Sequence, residues 1–143
     1  MESINVNEIA LVPSWHEGRP EAKWASCLPF TPMFPTWSGI ETKNSSIVYF
    51  EIEAGNQLGE HSDSVEELLL VLDGDIEVTI AEETAQAPKG TIIVIPAMVP
   101  HKVRNMGGST AKCIGFFPTK DVGNVFTDTV QPFGLSVFPP EQP

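Results

Sequence analysis

Residues 68–80 read LLLVL, DGD, IEVTI: Leu68 to Leu72, then Asp73-Gly74-Asp75, then Ile76 to Ile80. Two short runs of aliphatic and β-branched residues flank an Asp-Gly pair, the pattern of two strands joined by a hairpin turn. Upstream, IVYFEI at 47–52 is a further strand, broken by Ala54-Gly55-Asn56. Downstream, Pro88 and Lys89-Gly90 lead into TIIVI at 91–95, which Pro96 closes. His101 to Asn105 and Ala111 to Phe117 flank Met106-Gly107-Gly108 and are expected to pair across that turn. With 13 Pro and 11 Gly among 143 residues, long helices have little room. The reading is all-β, seven to nine short strands in a sandwich or barrel.

Length and composition narrow the function. A chain of 143 residues, 41% hydrophobic and 19% charged, is one packed domain. Eight Lys+Arg against 19 Asp+Glu leave a net charge of −11, which repels nucleic acid and anionic membrane surfaces alike. Cys27 and Cys113 stand far apart outside any Cys-x-x-Cys spacing, so both read as small buried hydrophobes. No cation precedes Arg19, and the Leu68–Leu72 run is too short to span a bilayer, which leads to the expectation of a soluble, cytoplasmic protein. Residues 1–40 hold Trp15, Trp24 and Trp37 among five prolines without clear periodicity, and are expected to form an extended N-terminal arm laid over a barrel at 41–120, with a tail at 121–143.

Four residues carry metal-ligand chemistry: His61, Asp63, Glu67 and His101. His61 and Asp63 differ by two, so on a strand they leave the same face. Glu67 follows four positions later, within reach of a tight turn, and His101 needs the tertiary fold to join them. Imidazole with carboxylate suits one divalent transition metal from among Fe(II), Mn(II), Ni(II), Zn(II) and Cu(II).

These residues stand in two longer patterns, Gly55, His61, Asp63, Glu67, Gly74 and then Gly90, Pro96, Met98, His101, Asn105. In every spacing they resemble the two motifs of the cupin superfamily, with Asp63 where the usual second His stands and Met98 in place of a glycine. The resemblance implies a cupin-type jelly-roll β-barrel, with motifs over 55–74 and 90–105, whose metal is held by His61, Glu67 and His101. Asp63 is then either a fourth ligand or a nearby catalytic group. Met98 puts the shape of its turn in question, because glycine eases such turns.

The expected function is that of a metal-dependent small-molecule enzyme. A non-haem dioxygenase acting on an oxygen-chelating aromatic or dicarbonyl compound comes first, with Asp63 or Glu67 carrying protons. The extradiol-type members of the family have a similar His, Glu, His set. A metal-dependent isomerase or lyase, or a barrel that binds its ligand without turning it over, are the alternatives. If Glu67 points inward, so do Leu69 and Val71; with His101 go Val103 and Asn105, leaving Lys102 and Arg104 outside. Such a pocket is apolar, and with Arg19 and Arg104 the only arginines a phosphate clamp is not expected. Leu68, Leu70 and Leu72 then face outward and require cover, from the Trp-rich arm or from a second copy in a homodimer.

Overall fold

The computed structural model describes residues 1–140 and is almost wholly β, with a short 3-10 turn at Val6–Glu8. Twelve strands follow in chain order: β1 (Val12–His16), β2 (Arg19–Cys27), β3 (Ser46–Ile52), β4 (Gln57–Asp63), β5 (Glu67–Asp73), β6 (Asp75–Ile80), β7 (Glu83–Pro88), β8 (Ile92–Ile95), β9 (His101–Asn105), β10 (Ala111–Phe117), β11 (Asn124–Val130) and β12 (Leu135–Phe138). They form one curled sheet in the order β7-β6-β9-β4-β2-β3-β10-β5-β8, with β1 on β2, and β11 and β12 extending from β4. The two flanks of the curl face each other across a core that includes Ile52, Leu69, Val71, Ile76, Ile95 and Val103. Burying each such side chain contributes about 1.5–3 kcal/mol.

The strands lie where the apolar runs place them, but two expected hairpins do not form. β5 pairs with β10 and β8, whereas β6 pairs with β7 and β9. Asp73-Gly74-Asp75 is therefore a corner between the two flanks. Both edges of β5 are already occupied, so β6 has no edge there to join. Gly74 is needed at this corner: its φ is 89°, and a Cβ would lie 3.0 Å from the Cα of Ala111. Likewise β9 and β10 pair with other strands, so the 106–110 connection also crosses between flanks. The true hairpins are β1–β2, β6–β7 and β11–β12.

Residues 12–27, expected as an extended arm, enter the sheet: β2 pairs antiparallel with β3 and touches β4 at Ala22↔Gln57. Its buried residues alternate as Ala22, Trp24 and Ser26. Pro13 is tolerated because β1 is an outer strand with β2 as its ladder partner. The expected inward alternation holds for Leu69, Val71, Val103 and Asn105, while Lys102 and Arg104 are exposed. Outside, cross-strand rows Val94–Leu68–Phe116 and Ile92–Leu70–Ile114 make an apolar face that this chain's own residues 1–40 leave uncovered: Ile92 is 63% and Val94 56% exposed. No helix among the described residues is long and apolar enough to cross a membrane.

Candidate metal centre

β4 carries His61 and Asp63 on one face, and β9 lies beside it with His101 directly opposite His61. The β4–β9 register shifts between Leu58 and His61, a bulge that turns the last residues of β4 inward. β5 brings Glu67 from the opposite flank. All four side chains are at least nine-tenths buried and gather in one cluster.

One donor atom from each of His61, Asp63 and His101 lies within 4.8 Å of the other two, close enough to be shared by one ion. His101 Nε2 stands 3.4 Å from Asp63 Oδ2 and 3.5 Å from Glu67 Oε1, and His61 Nε2 is 3.9 Å from Asp63 Oδ1. Both imidazoles are held from behind. His61 Nδ1 donates to the Gly59 carbonyl at 2.8 Å and His101 Nδ1 to the Val99 carbonyl at 3.0 Å. A carbonyl can only accept, so each Nδ1 carries its hydrogen and each Nε2 is the atom presented to the centre. Asp63 Oδ2 and His101 Nε2 are buried with no hydrogen-bond partner of acceptable geometry. Orphaned donor and acceptor atoms are costly, and a divalent cation shared between them would satisfy both. The donor set therefore fits a metal.

The ionisation pattern follows from crowding. Burial, helped by the charge of His101, pushes His61 down to about 4, so this ring is neutral at pH 7. His101 goes the other way, up to about 10, because Asp63 and Glu67 hold its proton against the cost of burial. Burial also lifts Glu67 to about 7. Asp63 is held below the ordinary carboxylate range, because the charge of the nearby histidines and the hydrogen bond from Asn124 outweigh its desolvation. The proton on His101 thus offsets the Asp63 carboxylate, and Glu67 takes up its charge only near neutral pH.

Other groups that hold the site escaped the spacing argument. Asn124 at the start of β11 donates through its amide to Asp63 Oδ1. Phe126, two residues on, stacks with His61 at 4.7 Å and 21° and with Trp24 at 5.7 Å and 7°. His16 is 4% exposed; its Nδ1 donates to the Thr129 carbonyl, and its ring packs against Trp24. The one available signal was the short alternation Glu21-Ala22-Lys23-Trp24. Met98 has φ 67°, so its turn keeps the left-handed conformation expected of a glycine, and its N–H donates to the Asp63 carbonyl at 2.7 Å.

The cluster opens into a cavity of about 780 Å³ lined by Trp24, Phe34, Phe50, Phe126, Phe133 and Phe138 among others. A family model for the cupin domain matches residues 48–117, which contain all four clustered residues. The chain is a cupin. An uncharacterized protein of Streptomyces coelicolor is 24% identical over 79 residues, covering 55% of this chain and 75% of that protein. Among solved structures, the oxalate decarboxylase of Lactobacillus farciminis in its formate complex superposes with TM-score 0.68 at 18% identity, over 85% of this cupin and 34% of that chain. A candidate sugar phosphate isomerase from Acidithiobacillus ferrooxidans matches with TM-score 0.62 at 17% identity, over 85% of this chain and 76% of the other. The cupin thus spans about a third of the decarboxylase chain, and at these identities the likeness is one of fold.

Proposed function

We propose that this cupin is a metal-dependent enzyme acting on a small, largely apolar molecule that presents oxygen donors to the ion, with dioxygenase chemistry on an aromatic or dicarbonyl substrate as its reaction. The observation that carries this reading is the pair of orphaned donor atoms, Asp63 Oδ2 and His101 Nε2, at the inner end of an aromatic-lined cavity. His61, Asp63 and His101 would hold the metal, and Glu67 would complete the set. A bound divalent ion would supply Lewis acidity and, with a redox-active metal, a route to O2. The protein's own part is positional. Trp24, Phe50 and Phe126 exclude water and receive the apolar body of the substrate, while a carboxylate of the cluster left off the ion, Asp63 or Glu67, can take or return a proton. Two carboxylates beside the same imidazole favour a second reading, an isomerase or lyase that moves a proton beside a polarised carbonyl without consuming O2.

Oxygen uptake separates the two. Reconstituted anaerobically with Fe(II) and mixed with catechols and 1,3-dicarbonyls, the protein should consume O2 with at least one of them. Substrate turnover without O2 uptake would establish the isomerase or lyase. Tight binding with no turnover across the panel would overturn the enzyme reading in favour of a binding barrel, and O2 uptake by metal-free protein would refute the metal's role. The uncovered rows Val94–Leu68–Phe116 and Ile92–Leu70–Ile114 further support a homodimer paired through this face.

A further inference from the structure

We propose that Gly115 is a positioning residue of the centre: its missing side chain is the slot in which the Glu67 carboxylate lies, and this slot fixes where Glu67 can reach. The inference rests on the reading of Glu67 as part of the metal set. Gly115 is in the middle of β10, opposite Leu69 of β5 and Val48 of β3, on the inward row it shares with Cys113 and Phe117. A glycine there weakens the strand, and no backbone need explains it, since its φ is outside the positive range that marks Gly18, Gly39, Gly55, Gly74, Gly90 and Gly134. The explanation is spatial. A Cβ on Gly115 would lie 1.9 Å from Glu67 Oε2 and 2.9 Å from its Cδ. Glu67 therefore rests one oxygen on the bare β10 backbone and turns the other toward His101.

Gly59 shows the same device in β4, with the His16 ring in the place of a side chain and Nε2 2.0 Å from the Cβ position. The two differ in what can yield. His16 is anchored by the Thr129 carbonyl and Trp24, whereas Glu67 enters its slot with the end of a flexible chain. Alanine at 115 should therefore displace the carboxylate and leave the barrel standing. Val48 Cγ1, 3.0 Å from the same point, would need to give only slightly.

The test is a pair of double-mutant cycles. In metal-free protein, Gly115→Ala should lower the melting temperature, and this drop should shrink to the small Val48 contribution in a Glu67→Ala background. An equal drop in both backgrounds would overturn the slot. If Gly115→Ala alone does not fold but Gly115→Ala/Glu67→Ala does, the slot stands. In the second cycle, titrated with Co(II) and read by its visible absorption, Gly115→Ala should weaken binding about tenfold and change the band intensities, as expected when a supporting contact is lost. In a Glu67→Asp background, whose shorter side chain does not enter the slot, the same substitution should cost less than twofold. Equal losses in both backgrounds would overturn the positioning role. Coupling in the melting cycle with Co(II) affinity unchanged by Glu67→Ala would keep the slot and remove Glu67 from the metal set.

Discussion

The two halves of the site are built differently. β4, β5 and β9 supply His61, Asp63, Glu67 and His101, all within a 41-residue stretch of chain. The termini supply the backing: His16 and Trp24 from β1 and β2, and Asn124 and Phe126 from β11. In the first half, titratable groups face one another across the centre; in the second, aromatic faces and one amide hold those groups from outside. The donors are specified locally, because strand alternation aims them, whereas holding them still takes residues from both ends of the chain.

The largest expected effect lies in the donor half. His101→Ala should lower affinity for a divalent metal by two orders of magnitude or more in a direct titration. Asp63→Ala should match Glu67→Ala if Asp63 is a ligand; near-normal binding by Asp63→Ala would leave His61, Glu67 and His101 as the donors. The pH dependence comes next. Because His101 is raised to about 10 in the folded protein, its contribution to stability is complete below its ordinary value of 6.5 and is lost as pH rises toward 10. Glu67, raised to about 7 from 4.5, acts in the same direction over its own window. Metal-free protein should therefore lose stability between pH 7 and 9 in urea titrations. Metal-loaded protein, in which His101 has already given up the proton, should not.

The backing half should give a smaller, separable effect. Phe126→Ala leaves His61 and Trp24 without the ring that both stack with, and should cost about 2–3 kcal/mol in urea unfolding of metal-free protein. Unchanged stability would mean that the stack is incidental. The smallest effect belongs to the turn that joins the halves' geometry to the backbone. Met98→Gly should relieve a left-handed residue and stabilise by up to about 1 kcal/mol, leaving the bond from residue 98 to the Asp63 carbonyl intact. A loss of stability would show that the exposed Met98 side chain does more than cross the turn.

Local chemistry was enough to determine the all-β class, the extents of β3, β5, β6, β8, β9 and β10, and the inward faces of β5 and β9, because a two-residue period and Gly/Pro breaks act over a few neighbouring residues. The spacing of the four donors could be read for the same reason. Pairing could not: Asp73-Gly74 has the chemistry of a hairpin turn, yet both edges of β5 are filled by strands remote in sequence, so the turn becomes a corner. β7 was hidden because all but Ala87 of its side chains are exposed, which leaves no apolar alternation to detect. Only the tertiary structure could bring Asn124 to Asp63 across 61 positions, stack Phe126 with both His61 and Trp24, and fill Gly115 with Glu67. Those contacts depend on which strands become neighbours, and that is settled by how the whole sheet closes rather than by any segment of it.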